Sequence, residues 1–348
     1  LDTMKAAAVK KAESILNDKG ITGITYNTRD CTISGTSLTY YKYEDDTDSW
    51  AVSLKEDSGF SNATATLKNG KLTVEATKTS DSSKVTAIYN ATNGVSLSIK
   101  SSISNTTATS ETVRKDGDLT LTAQVSGVSN ASYEWLLASS AAPGTNDRAT
   151  YTVNTDNAGT LNLTCKVYSG SGSDKVLAAT KAFTVTVSDT EYILDVTPST
   201  SVTLTEKGEE QSFTATLKQK NGTLADGAKY TFTTEDDSII TLTDVRNGTV
   251  KVTLKKGGNA TVKVTADYQG KKDYKNIYIK GKILSGTLGE VTNGEKLSFD
   301  YRDLKRLAEK AIDDSVTINS IKITKAPVTD SAGGAVYESS SAKLPVPE

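Results

Sequence analysis

The chain of 348 residues contains no histidine, and that absence removes more functions than any motif adds. Without imidazole there is no His-based nucleophile triad, no histidine-bound metal and no group whose ordinary pKa suits proton transfer near neutrality. Two cysteines are too few for a four-cysteine zinc site or a disulfide framework. Methionine occurs once, proline five times, and aromatics make up 6% of residues. Lysine and arginine (40) nearly balance aspartate and glutamate (42), so the chain as a whole offers no basic field to nucleic acid or to an anionic membrane. No apolar run approaches the ~20 residues of a membrane-spanning helix, and no membrane insertion is expected. The opening Leu1-Asp2-Thr3-Met4 reads as mature or excised sequence rather than a signal peptide.

Serine and threonine together form about a quarter of the chain, beside 25 glycines. Threonine and valine suit half-buried pleated surfaces. In 249–255 the order Thr-Val-Lys-Val-Thr-Leu-Lys puts Val250, Val252 and Leu254 on one face and polar residues on the other. Val262, Val264, Ala266 and Tyr268 repeat the pattern, as do Phe213, Ala215 and Leu217. One buried and one wet face predict antiparallel sheets. Asn-Gly at 69–70, 221–222 and 247–248 marks turns, since both residues tolerate positive φ. Two segments align as an internal repeat, each a turn followed by three strands. The first runs through Lys71–Val74, Val85–Tyr89 and Leu97–Lys100; the second through Thr249–Val252, Val264–Tyr268 and Ile277–Lys280. Between them Leu119–Ala123, Tyr133–Leu136, Leu161–Val167 and Phe183–Val187 read as strands of a further module, with turn signals every 8–12 residues or so as in a β-sandwich. Helical periodicity is confined to residues 2–18, with Met4, Ala7, Ala8, Ala12, Ile15 and Leu16 as the apolar side and Gly20 as stop, and to residues 302–313, striped by Leu304, Leu307, Ala308 and Ile312.

The expected fold class is therefore mainly β: sandwich modules in a row with short helices near both ends. The segments are an N-terminal helix over 1–20, β modules over 21–102, 103–190 and 191–281, and a small α+β piece over 282–348. That last piece does not read as a finished module, so the chain is expected to be a fragment of something longer.

Residues 191–281 resemble the bacterial immunoglobulin-like group 2 domain, through Leu194-Asp195-Val196-Thr197-Pro198, Val202-Thr203-Leu204, Tyr230–Ile239, Gly248-Thr249-Val250 and Gly257–Val262. The segment at 50–102 is a weaker match. The module over 103–190, with Trp135 on a middle strand and Cys165 on a late one, is similar to immunoglobulin-like or polycystic-kidney-type domains; Ala123 or Val125 stands where an early-strand cysteine would pair. Residues 297–337 resemble a helix-plus-strand repeat of very large surface proteins of Gram-positive gut bacteria, some with S-layer homology modules. Ala326-Pro327 and Val336-Tyr337 replace that repeat's Leu-Pro and Leu-Tyr-Tyr landmarks. The resemblances imply an extracellular bacterial surface protein whose modules act as spacers or adhesive units.

Candidate chemistry centres on one stretch. Tyr40, Tyr41, Tyr43 and Trp50 could form an aromatic platform for sugar rings, and Glu44, Asp45, Asp46 and Asp48 could hold calcium with oxygen ligands, without the spacing or glycine of an EF-hand loop. The competing reading is a strand ending in an acidic hairpin, its aromatics in the core. Cys165 is in register with Leu161, Leu163 and Val167 and points inward near Trp135; Cys31 shares a face with Ile33 and is expected to be buried too. Neither has a histidine to activate it. No motif singles out a glycosidase carboxylate pair. Asn-x-Ser/Thr sequons occur at Asn62, Asn90, Asn105, Asn130, Asn162, Asn221, Asn247 and Asn259, as a threonine-rich chain produces by chance. The lysines fall on polar faces, against a buried Lys–Asn isopeptide bond. No catalytic residue and no cofactor is expected, with calcium the one ion kept open. The reading is a non-enzymatic extracellular spacer, stalk or array protein. Its partners would be cell-wall or surface glycan, or copies of itself, and not nucleic acid. The alternatives are an adhesin or carbohydrate-binding module, a tail or capsid-decorating protein of a phage, and an accessory region of a hydrolase.

Overall fold

The computed structural model describes residues 20–282, together with Thr3 and two paired dipeptides, Lys322–Ile323 and Ala342–Lys343. The helices expected over 1–20 and 302–313, and nearly all of the α+β piece expected over 282–348, lie outside the described residues. The chain divides into two compact units, Leu1–Asp189 and Thr190–Glu348. Unit 1 holds two sandwiches and unit 2 one, each around its own buried apolar cluster.

In the first sandwich, β1 (Ile21–Tyr26), β2 (Arg29–Asp30), β3 (Thr32–Ser34), β4 (Ser37–Tyr40), β5 (Trp50–Leu54), β6 (Phe60–Lys68), β7 (Lys71–Lys78) and β8 (Lys84–Asn93) form two sheets, ordered β2-β1-β5 and β3-β4-β8-β7-β6. Ile24, Leu38, Leu72, Val74, Ala87 and Tyr89 meet between them, each at most 3% exposed. The second sandwich comprises β9 (Ser96–Ser101), β10 (Thr107–Ala108), β11 (Ser110–Arg114), β12 (Thr120–Ser126), β13 (Ala131–Leu137), β14 (Ser140–Ala141), β15 (Thr150–Thr152), β16 (Gly159–Ser169) and β17 (Val176–Ser188). Its sheets are β10-β9-β12-β15 and β11-β17-β16-β13-β14. Trp135 faces Cys165 across β13 and β16, both fully buried. The indole stacks on Tyr151 at 5.5 Å and donates from Nε1 to Arg148 O at 2.9 Å.

Unit 2 contains β18 (Tyr192–Thr197), β19 (Ser201–Leu204), β20 (Glu210–Gln219), β21 (Lys229–Thr233), β22 (Ile240–Arg246), β23 (Thr249–Leu254), β24 (Gly258–Tyr268) and β25 (Lys271–Gly281). One sheet is β18-β20-β23-β22, the other β19-β25-β24-β21. In immunoglobulin lettering these orders are A-B-E-D and A′-G-F-C, which establishes the immunoglobulin-like sandwich. The alternation read from sequence is what buries this core: Val250, Val252 and Leu254 are 1% exposed or less, and so are Phe213, Val262 and Val264.

Two expectations are corrected. The sheets are not purely antiparallel: β4 runs parallel to β8, β11 to β17 and β19 to β25. In each case an early strand crosses to the opposite sheet and lies along the last strand. The internal repeat is also out of step with the fold. Leu97–Lys100 does not close the first sandwich; it lies in β9 and pairs with β12 of the second. β7 belongs to the sheet of β8, whereas its supposed counterpart β23 lies in the sheet opposite β24 and β25. Every strand of a sandwich has the same period of two, so alternation identifies strands but not which strand of the module each one is. The turns behave as their chemistry requires. Asn69 and Gly70 both have positive φ (52° and 69°), as do Asn247 and Gly248 (42° and 82°), whereas at 221–222 only Gly222 does (90°).

Candidate functional site

The stretch from Tyr40 to Trp50 leaves β4, crosses the end of the first sandwich and returns as β5. Two of its four aromatics, Tyr40 and Trp50, turn into the sandwich instead of forming a platform. Tyr26, Tyr40 and Trp50 make a compact trio with centroids 4.9–5.5 Å apart and planes tilted by about 60°. Tyr26 is fully buried in it. Tilted, edge-to-face rings pack a core; they do not present one flat surface.

The acidic residues are dispersed. Asp46, its side chain 10% exposed, pairs with Arg29 and accepts the Tyr43 N–H at 3.0 Å. Arg29 also donates to Tyr41 O at 3.1 Å and lies 4.0 Å over the Tyr43 ring. Burial pushes the Asp46 pKa up, but the hydrogen bonds from Arg29 and Tyr43 outweigh it and hold the carboxyl below its ordinary value. Asp48 pairs with Lys42 and accepts from Tyr26 Oη at 3.4 Å, so its pKa is lowered too. Glu44 turns outward and accepts from Thr180 Oγ1 of the second sandwich at 2.8 Å. Asp45 is exposed, and its charge helps, after burial and Glu134, to push the Tyr168 phenol up to about 12. Among the described residues no three acidic or cysteine side chains gather in a way that could hold a metal. Three of the four carboxylates thus have separate partners, Arg29 for Asp46, Lys42 for Asp48 and Thr180 for Glu44, and Asp45 is exposed.

What this segment builds is a joint. Only Gly94 and Val95 separate β8 from β9. The Tyr41 ring fills the corner: a Cβ on Gly94 would lie 2.5 Å from Tyr41 Cε1, and one on Gly127 would lie 3.0 Å from Tyr41 Cδ1. Gly127, at φ +73°, also passes so close to Gly94 that a Cβ would sit 2.3 Å from the Gly94 carbonyl oxygen. Asn93 ties the corner off, its Oδ1 accepting from the N–H of Lys42 (3.0 Å) and Val95 (3.1 Å) and its Nδ2 donating to Lys42 O at 3.4 Å. Ser126 Oγ reaches Ser96 Oγ at 2.8 Å and Gly94 O at 3.3 Å.

Beside the joint a groove of about 690 Å³ opens between the two sandwiches of unit 1, lined by Arg29, Tyr41, Tyr43 and Asn130 on its polar side and by Val128 and Val176. Its one carboxylate is Asp174, so it offers no acid/base pair of the kind glycoside hydrolysis uses. Arg29 and both tyrosines are already engaged in the contacts above.

No family model and no curated protein matches the chain. Among solved structures, the fibronectin(III)-like modules of Clostridium thermocellum CbhA share 16% identity with it, covering 54% of this chain and 95% of theirs at a TM-score of 0.33. Domains 4 and 5 of the S-layer protein SbsC share 17% identity, covering 54% of this chain and 98% of that one, at a TM-score of 0.22. The three N-terminal domains of the bacteriophage RB49 outer capsid protein Hoc share 11% identity, covering 76% and 88%, at a TM-score of 0.25. Likeness at this level says nothing of role, and the sandwich assignment rests on the strand orders given above.

The two thiols differ. Cys165 is fully buried and burial pushes it up to about 12. Cys31, expected to be buried, is only partly so, and its neighbour on that face, Ile33, is 40% exposed. β3, which follows Cys31, is an edge strand of its sheet, and Cys31 itself packs against the rim of the first core. Burial raises the Cys31 pKa as well. The joint residues Gly94, Gly127, Asn93 and Thr180 were not singled out from sequence. Asn93-Gly94 is nonetheless an Asn-Gly dipeptide like the three that were read as turns.

Proposed function

We propose that this chain is a non-enzymatic structural segment of a bacterial surface protein, in which immunoglobulin-like modules act as spacers of set geometry. The observation that carries the reading is the joint of unit 1. A two-residue connection is closed by a tyrosine wedged against two glycine backbones, by Asn93 bridging both arms, and by Glu44 reaching Thr180. Independent domains on flexible tethers need none of this. Of the Tyr40–Trp50 stretch, Tyr41 and Glu44 hold the two sandwiches together, while Tyr40, Trp50, Asp46 and Asp48 fix the loop to the first. The proposed extracellular bacterial setting draws on the resemblance of 191–281 to a bacterial immunoglobulin-like domain, and the Gram-positive part of the proposal on that of 297–337 alone. No helix among the described residues is long and apolar enough to cross a membrane.

Two experiments test this. Spin labels on exposed positions of the two sandwiches of unit 1 should give one narrow distance distribution, broadened by Tyr41→Ala; a broad distribution in the unaltered chain would overturn the fixed joint. Negative-stain electron microscopy of the purified chain, with and without calcium, addresses assembly. Ordered sheets or filaments support an array, whereas dispersed single particles in both conditions restrict the role to a stalk.

A further inference from the structure

Among the described residues, the large aromatics left exposed are not in the Tyr40–Trp50 stretch. Tyr274 and Tyr278 are 57% and 55% exposed, both on β25 of unit 2. Four residues apart on one strand, they share the outer face and stand about 13 Å apart along it. The exposed Asn276 lies between them on the same face. Across β24, Thr265 stands opposite Tyr274, Lys263 opposite Asn276 and Thr261 opposite Tyr278. The face is thus a shallow polar sheet from which two phenol rings stand out, with hydroxyls and an amide between and beside them.

Charge decides the occupant. Along β19, β21, β24 and β25, the outward positions carry Lys229, Lys263, Lys272 and Lys280 against a single carboxylate, Asp267. Although the chain as a whole has a net charge of -2, this sheet turns a net positive face to solvent. Lys263 lies over one face of the first ring, its ammonium 4.5 Å from the Tyr274 centroid, so a sugar would stack on the opposite face. Aromatic faces take the C–H faces of pyranose rings, and threonine and asparagine take their hydroxyls. The lysines call for negative charge on the same polymer. A phosphate-linked polyol chain would satisfy the lysines but has no contiguous rings to cover two tyrosines on one line.

We infer that the β19-β25-β24-β21 face of unit 2 binds an extended acidic polysaccharide whose pyranose rings carry carboxylates, with Tyr274 and Tyr278 as stacking residues and Lys263 and Lys280 as charge partners. The inference is independent of the spacer reading, because it concerns another face in another unit and stands whether or not the unit 1 joint is fixed.

The test is affinity electrophoresis of the full chain in native gels containing polygalacturonate, dextran or polyglutamate. The expected result is retardation by polygalacturonate, weakened by added salt, and little by dextran or polyglutamate. Tyr274→Ala and Tyr278→Ala should each weaken polygalacturonate binding about three- to tenfold, and Lys263→Glu with Lys280→Glu should abolish it. Circular dichroism of each variant confirms the fold, and Tyr274→Phe, which keeps the ring, should retain binding. No retardation of the unaltered chain by polygalacturonate would overturn the inference. Equal retardation by polyglutamate, or a double tyrosine variant that binds normally, would reduce the face to a nonspecific charge patch and overturn it too. Equal retardation by dextran would overturn the acidic specificity.

Discussion

The segment Tyr40–Trp50 and the outer face of β25 carry the same kinds of residue and put them to opposite uses. In the first, three tyrosines and a tryptophan fall within eleven positions, yet the rings turn into a tilted core cluster and a wedge between sandwiches. In the second, two tyrosines are separated by three residues in an unremarkable Lys-rich strand, and both stand in solvent. The difference lies in the neighbours. The loop after β4 has a second sandwich two residues beyond β8 to press against. β25 alternates Ile277 and Ile279 inward, which sends Tyr278 outward with nothing described above it. Aromatic density along a sequence measures how much packing surface a segment owns; the phase of the alternation around each ring decides whether that surface is buried.

If unit 1 is organised around buried aromatics and a tight joint, damage there should be severe and local. Trp135→Ala should cost about 3–5 kcal/mol, since the ring is fully enclosed and its Nε1 donates to Arg148 O. Both tryptophans of the chain, Trp50 and Trp135, belong to unit 1. Trp50 packs in the first sandwich. Calorimetry should therefore show the transition of the second sandwich fall while that of unit 2 stays in place, and Trp50 fluorescence should shift with it if the joint couples the two sandwiches. Gly127→Val should follow at about 2–3 kcal/mol, because it sets a branched side chain at φ +73° against the Gly94 carbonyl, and backbone cannot swing aside as a side-chain tip can. If Gly127→Val melts with the unaltered chain, the joint is looser than described.

Acid sharpens the same contrast. Asp46 is nearly enclosed and its pKa lies below the ordinary value, so its stabilisation is present above the unfolded pKa of about 3.9 and is lost as pH falls through the lower folded value. Asp195 of unit 2 is also lowered, chiefly by Lys218, but its side chain is 38% exposed and water screens the pair. Asp46→Asn should cost unit 1 about 1–2 kcal/mol at neutral pH and flatten its loss of stability below pH ~4. Asp195→Asn should change the acid unfolding of unit 2 far less. Parallel urea titrations at neutral pH and at pH ~3 decide it; equal effects of the two substitutions would remove the distinction between an enclosed and a screened carboxylate.

Much of the fold was legible where side-chain period alone carries information. Val250, Val252 and Leu254 buried one face as alternation requires, and Cys165 lies directly against Trp135. What period does not encode is which strand pairs with which. Leu97–Lys100 alternates equally well as the last strand of one module or the first of the next, and only the two-residue connection after Asn93 settles it. The parallel strands β4, β11 and β19 were invisible for the same reason. At the candidate site, residue types were read well and their partners were not. The carboxylates of Glu44, Asp46 and Asp48 answer to Thr180, Arg29 and Lys42, which lie from six to 136 positions away. Nothing local distinguishes an acid bound for a lysine from one bound for an ion. Tyr274 and Tyr278 could have been found by carrying the alternation of Ile277 and Ile279 one step outward.

The smallest predicted effect is the most discriminating. Tyr274→Ala and Tyr278→Ala each remove a large ring, yet rings more than half exposed bury little apolar surface on folding. Both substitutions should leave the stability of unit 2 within about 0.5 kcal/mol of the unaltered chain, measured by urea denaturation followed at a tyrosine or far-ultraviolet signal. Tyr43→Ala in unit 1, by contrast, strips the ring beneath Arg29 and should destabilise measurably, since that side chain is 7% exposed and clamped by the guanidinium. A neutral result at 274 and 278 means those rings are held in water at no benefit to the fold, which is the condition for a surface kept for a ligand. A loss of 2 kcal/mol or so at either would mean that the ring is packed after all, and the two regions would then differ only in degree.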